Sequence, residues 1–162
     1  AKSYCASQKE YYYGFKGHLL VNDEGLIQSL LLTAANVDDR DPLLGLSATI
    51  QGVLIGDKGY IDLQKWQWLW QFGVQLKTPM RKNMAPRPAA TASKGQKRRR
   101  KIVETVISQL EQRFNIGTVK ARDSWHLTNR ITRKVLAHTI LCAFNYILDR
   151  KPLHHDGLVA IS

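Results

Sequence analysis

A chain of 162 residues, 44% of them hydrophobic, is long enough for one domain with a real core and too apolar to be disordered. Its formal net charge of +11 is the largest compositional departure and predicts a polyanionic partner, nucleic acid ahead of an anionic membrane surface. No apolar run reaches the roughly 18 residues needed to span a bilayer, no signal-peptide pattern opens the chain, and no basic helix turns a greasy face toward lipid.

Residues 1–10 are polar and read as a loose lead-in that starts at Ala1 without an initiator Met, as expected of a fragment or a processed product. Cys5 there and Cys142 near the other end are too few for a disulfide framework, so a reducing cytoplasm is the expected compartment. Residues 11–21 alternate in part, with Tyr11, Tyr13, Phe15 and Leu19 on one face and Tyr12, Lys16, His18 and Leu20 on the other, which predicts a strand. Lys16 and His18 share a face where they can touch phosphate or neighbour a metal site; a solvated face on an edge strand explains them equally well. Asn22-Asp23-Glu24-Gly25 is a turn cluster, and residues 26–33 are a second apolar strand, giving an antiparallel hairpin. Asp38 or Asp39 can cap a short helix through Leu43, Leu44 and Leu46, with Pro42 in its first turn.

Val53-Leu54-Ile55 then runs into Gly56-Asp57-Lys58-Gly59. A short apolar run bounded by glycine predicts a strand buried on both faces, so Asp57 falls where that strand ends. In α/β folds ligands and reacting groups gather at that place. A tryptophan-rich helix follows from Ile61 to about Phe72, with Trp66, Leu69 and Trp70 at core spacing. Gly73 ends it, and residues 74–78 form another strand stopped by Pro79. Residues 80–101 read as a mobile loop carrying Arg81 and Lys82 and closing on Lys97-Arg98-Arg99-Arg100-Lys101.

Residues 101–114 predict a helix with the apolar stripe Val103, Val106, Ile107, Leu110 and Phe114. Glu104 lies roughly 100° from the stripe centre, on the border of core and solvent, with Arg100 and Glu111 on its side. After a loop with Lys120 and Arg122, Asp123 or Ser124 caps a last helix to about Arg150, ended by Pro152. Its first half carries Arg130, Arg133 and Lys134. Its second half, residues 137–148, is apolar nearly all round and should be buried, with His138 and Cys142 as core residues. His154-His155 lacks a third ligand at a plausible spacing, so a frayed tail is expected there and not a zinc site.

Two acids stand out, Asp57 at a strand end and Glu104 on a helix preceded by five cations. Hard divalent cations such as Mg²⁺ take carboxylate oxygens and leave room for phosphate and water. Clustered acids can hold two such metals for phosphodiester chemistry, while lysines and arginines hold the polyphosphate backbone. No G-x-x-x-x-G-K-[ST] loop supports ATP hydrolysis, and Gly56-Asp57-Lys58-Gly59 lacks the partners of nucleophilic catalysis.

The blocks Tyr13-Gly14-Phe15-Lys16-Gly17-His18-Leu19-Leu20-Val21, Thr33-Ala34-Ala35-Asn36-Val37-Asp38-Asp39 and Gly56-Asp57-Lys58-Gly59-Tyr60 resemble, in order, those of bacterial insertion-sequence transposases of the DDE type. The block Arg99-Arg100-Lys101-Ile102-Val103-Glu104-Thr105-Val106-Ile107-Ser108-Gln109-Leu110 is similar to their third-acid helix. The resemblance implies an α/β, ribonuclease-H-like mixed sheet with flanking helices and a C-terminal helical extension. It also implies a triad of two Asp and one Glu binding two divalent metals, Mg²⁺ or Mn²⁺. By resemblance Asp57 is the second Asp and Glu104 the Glu, and both are metal ligands; Arg100 matches the family's arginine. The implied partners are DNA, as transposon ends and target, and a second copy in a homodimer when complete. Lys16, His18, Lys58, Arg81, Lys82, Lys97, Arg98, Arg99, Arg100, Lys101 and Arg122 are the expected DNA contacts.

The sequence also departs from the family. No Asp or strand is evident in residues 1–10 where the first acid is expected, and neither Asp23 nor Asp39 is a convincing replacement. Position 111 is Glu where the family often has Lys, and position 97 is Lys where many relatives place Tyr. The expectation is therefore a partial catalytic domain over residues 1–150 with its first strand missing, a tail over 151–162, and impaired activity alone. The rival readings are a non-catalytic DNA-binding remnant or regulator derived from a transposase, and a metal-dependent nuclease of the same fold.

Overall fold

A computed structural model describes residues 2–5, 10–79 and 94–156 of the chain. It is a mixed α/β structure, compatible with a truncated ribonuclease-H-like fold. The chain divides into two compact units, Ala1–Leu20 with Leu30–Arg98, and Val21–Ser29 with Arg99–Ser162.

In the first unit the expected lead-in is structured. Strand β1 (Lys2–Cys5) pairs antiparallel with β2 (Glu10–Tyr13), Lys2 opposite Tyr13 and Cys5 opposite Glu10. The Lys2 ammonium sits 4.5 Å from the centre of the Tyr11 ring, an attraction that a polar-sequence reading overlooks. The single strand expected over residues 11–21 is two, because the chain bends at Gly14 before β3 (Phe15–Val21). Strand β3 pairs with β4 (Ile27–Ala34) in a second two-stranded sheet. Their turn is closed by Asn22, whose carbonyl accepts from Gly25 and whose side-chain oxygen accepts from Leu26 at 2.8 Å. As expected, this is a hairpin; its tip groups with the second unit.

Helix α1 (Pro42–Ser47) has Pro42 in its first turn, but neither expected aspartate caps it. The residue at the cap is Asp41, without a side-chain capping bond, because Asp38 is taken by Arg40 and Asp39 by Lys16. Strand β5 (Gly52–Ile55) pairs in parallel with β6 (Val74–Lys77) across helix α2 (Leu63–Gln71), a βαβ crossover. The Asp62 carboxylate caps α2 by accepting from the Gln64 and Lys65 amides, and Gly73 leaves the helix at φ +77°. Leu43, Leu54, Leu69, Val74 and Leu76 form the core of this unit, with Leu20, Ile50, Tyr60 and Trp66 packed around it. Contrary to expectation β5 is not buried on both faces: Leu54 points inward while Val53 is 49% exposed. Of the helix tryptophans Trp66 reaches the core, whereas Trp68 and Trp70 are exposed.

Helix α3 (Lys94–Gln112) starts earlier than expected, so the basic run from Lys97 to Lys101 lies on a helix and not at a loop's end. Residues 80–93, with the Arg81 and Lys82 picked out above, lie outside the described residues. In the second unit Val106 and Leu110 are buried on α3. Helix α4 (Ser124–Ile147) is capped by Asp123, which accepts from the His126 amide at 2.9 Å. It buries one stripe, Ile131, Val135, His138, Cys142 and Asn145, at 3 and 4 spacing. The expectation that its second half is buried all round fails: Ile140, Phe144 and Ile147 are exposed, Ile147 at 75%.

The segment after α4 is also not a frayed tail. The buried Asn145 amide donates to the Pro152 and His154 carbonyls at 3.1 and 2.7 Å, and Gln109 on α3 donates to the Leu153 carbonyl at 2.7 Å. Arg113 adds an ion pair to Asp156.

Two stability outcomes follow. Leu69→Ala, in the fully buried centre of the first core, is expected to cost about 2–5 kcal/mol in denaturant unfolding, against about 0.5 or less for Leu63→Ala on the exposed face. Gly25 has φ +90° and an added Cβ would stand 2.6 Å from the Leu153 side chain, so Gly25→Ala should lower the unfolding midpoint more than Gly73→Ala, where the Cβ meets open space. Equal shifts at the two glycines would remove the Leu153 contact as a cause.

Candidate active site and nucleic-acid interface

Asp57 stands one residue beyond Gly56, whose amide donates to the Lys77 carbonyl at 3.0 Å and so prolongs the β5–β6 pairing past its last paired residues. A side chain at position 56 would come within 3.2 Å of Tyr60 Cβ, which favours glycine there. The chain then turns into a single 3₁₀ turn, Lys58–Tyr60, with the Tyr60 amide donating to the Asp57 carbonyl. The outcome is an exposed carboxylate anchored to a parallel pair with one buried face.

Around it the first unit gathers several charged groups. Tyr60 is half-buried, and its hydroxyl is pushed above the ordinary phenol range by burial first, then by the negative charges of Asp39 and Asp57. Lys16 donates to the Val37 carbonyl at 2.9 Å and to Asp39 at 2.8 Å. His18 is buried and its Nε2 is 2.8 Å from the Thr33 hydroxyl. Of the expected contacts on β3, Lys16 is thus engaged with the chain itself, and His18 lies beneath the surface.

Glu104 belongs to the second unit. It is exposed on α3, nearly three turns into the helix, with Arg98, Arg99 and Lys101 also exposed. Arg99 pairs with Asp23 of the hairpin tip at 2.9 Å. Arg100, four residues before Glu104, is half-buried. A second basic feature was not read as a unit from sequence. Lys120, Ala121, Arg122, His126 and Arg130 line an open concavity of about 450 Å³ at the start of α4. Arg130 donates to the Lys120 carbonyl, which draws the loop against the helix. Part of the signal was present in the chain: His126 and Arg130, four apart, share one face of α4, while Arg122 stands just before its cap.

A family model described as Transposase DDE domain matches residues 2–124. The chain therefore belongs to the transposase DDE domain family, which acts on DNA in transposition and uses divalent metal. Searches of curated proteins and of solved structures found no match. No helix among the described residues is long and apolar enough to cross a membrane. Both acids expected to hold the metal are exposed oxygen donors, the kind that hard divalent cations take.

The His18 site makes a pH prediction. Burial lowers its proton affinity below the ordinary value of 6.5, helped by Lys16 and opposed by Asp39. The folded chain thus binds this proton less readily than the unfolded chain. The stability that depends on neutral His18 is complete above pH 6.5 and is lost as pH falls below it, with a slope of at most about 1.4 kcal/mol per pH unit. Denaturation at pH 7.5 and 5 should show this loss, and His18→Asn should lessen it, the buried His138 and His155 supplying the remainder in the same direction.

Proposed function

We propose that the chain takes part in DNA transposition by metal-dependent phosphodiester hydrolysis and strand transfer, with Asp57 and Glu104 as two of the metal's carboxylate ligands. The observation that carries the reading is the family match, which spans both acids; their exposure and hard oxygen donors support it. When bound, Mg²⁺ or Mn²⁺ supplies activation of the attacking oxygen, first water and then a DNA 3′-hydroxyl, and steadies the leaving oxygen. The chain's own cations hold the phosphates. Arg98, Arg99 and Lys101 do so from α3, and Lys120 and Arg122 from the concavity beside α4. Lys58, Arg81, Lys82 and Lys97 extend that grip by resemblance. The five cations near the start of α3 oppose the helix dipole, a cost that a bound phosphate offsets. A metal that receives two carboxylates where the family supplies three is held poorly. The first Asp of this sequence is Asp23, and Asp39 is paired with Lys16, so these 162 residues alone are expected to be impaired.

A non-catalytic DNA-binding remnant or regulator is the second reading, favoured by the basic concavity, which Lys120, Arg122 and Arg130 line while Asp123 pairs with Arg122 and His126 beside it. The two separate cleanly. Under the first, Mn²⁺ binding followed by electron paramagnetic resonance, and any Mg²⁺-dependent nicking or joining of transposon ends, disappear in Asp57→Asn and Glu104→Gln while DNA binding stays. Under the second, the unaltered chain shows no Mn²⁺ binding and no nicking, and still binds DNA. Under either, Lys120→Ala and Arg122→Ala should each reduce the slope of log affinity against log salt by about 1. Robust strand transfer by the unaltered chain would overturn the expected impairment.

A further inference from the structure

The second unit holds a group of donors that the transposition chemistry does not use. His138 and Cys142 stand one turn apart on the buried stripe of α4, and His155 is returned to them by the segment that follows the helix. All three are sealed from solvent, at 0, 0 and 1% exposure. Cys142 Sγ lies 3.7 Å from His138 Nδ1 and 3.4 Å from His155 Nε2, and the three ligand atoms are all within 4.8 Å of one another. A tetrahedral zinc with ordinary bond lengths sets its sulfur and nitrogen ligands about 3.5 Å apart, so both sulfur–nitrogen distances already suit it.

The surroundings orient the donors. Gln109 donates its amide to the Leu153 carbonyl, which turns its oxygen to His138 Nε2 at 2.9 Å. That nitrogen must then carry the ring proton, and the lone pair of Nδ1 faces Cys142, as a ligating histidine requires. Asn145, Gln109 and Arg113 together fix the chain on both sides of His155, Arg113 donating to the His155 carbonyl at 3.4 Å. The Cys142 thiol can donate to only one of the two ring nitrogens, and among the described residues Asn145 Oδ1 is buried without a hydrogen-bond partner.

We propose that His138, Cys142 and His155 form a zinc site that fastens the segment after α4 to the helix pair α3 and α4. On binding, the Cys142 thiol gives its proton to solvent, two neutral imidazoles donate their lone pairs, and one position is left for a water or a further ligand. Burial otherwise holds the thiol protonated, pushing it up to about 11, and holds His138 neutral, pushing it down to about 4. One sulfur and two imidazole nitrogens suit zinc and not Mg²⁺, so this site is chemically separate from the carboxylates.

Elemental analysis of the full chain, prepared in zinc without chelator, should find about one zinc per chain. Cobalt loaded into the stripped chain should give thiolate-to-cobalt charge transfer and tetrahedral ligand-field bands. Cys5→Ser and His154→Gln should keep both signals, whereas Cys142→Ser and His155→Gln should lose them. Zinc should raise the melting temperature of the unaltered chain and of His154→Gln but not of His155→Gln. A folded, cobalt-treated chain without charge transfer overturns the proposal whatever the variants do. So does a signal that survives Cys142→Ser, or binding of Cu⁺ with zinc excluded.

Discussion

The parallel pairing of β5 with β6 across α2 is the constraint on which the first unit depends. Parallel strands need a crossover, and α2 fulfils that need by laying Leu69 against Leu54, Val74 and Leu76. Burial of these side chains fixes the end of β5, so the carboxylate of Asp57 is presented at a defined point while remaining in water. The same core holds Tyr60, whose ring packs inward while its hydroxyl feels both Asp39 and Asp57. An acid placed this way costs little stability, because its carboxylate is exposed to water while its backbone is anchored.

In the first unit three cations are paired with aspartates: Lys16 with Asp39, Arg40 with Asp38 and Asp62, and Lys65 with Asp41. These exposed pairs contribute little individually, but they tie the loop around α1 to β3 and to the start of α2. In the second unit Arg99 pairs with Asp23, Arg113 with Asp156 and Arg122 with Asp123, so the same kind of pairing recurs there.

Much of this was legible in the chain because it depends on neighbours in sequence. The hairpin about Asn22–Gly25, Pro42 at the start of α1, the strand ending before Asp57 and the stripe along α3 follow from local periodicity and turn chemistry. Strand β1 was not legible, since Lys2-Ser3-Tyr4-Cys5 lacks an alternating apolar face and is held by its partner strand. The early start of α3 was hidden by cations that ordinarily weaken a helix's first turns. The exposed face of α4 was hidden for another reason: an apolar composition says that burial is favourable and does not say which side is covered. Periodicity identified both acids of the proposed triad as residues at element edges, yet only the family's ordered blocks gave them a shared role.

His155 shows most clearly what local reading leaves out. In sequence it is one of two adjacent histidines near a terminus, and a lone pair of histidines is weak evidence for a metal. Its burial is decided by residues far away: Gln109 on α3, Arg113 just past that helix, and Asn145 one turn past Cys142. Each spends hydrogen bonds on backbone carbonyls of the last segment, and a buried amide such as Asn145 is favourable only if those bonds are made. The polar residues of the α4 stripe are thus not defects in a hydrophobic core. They are what brings the segment from Pro152 to Asp156 inward, and in doing so they set a soft, water-excluded donor group in a protein whose proposed chemistry uses hard, exposed ones.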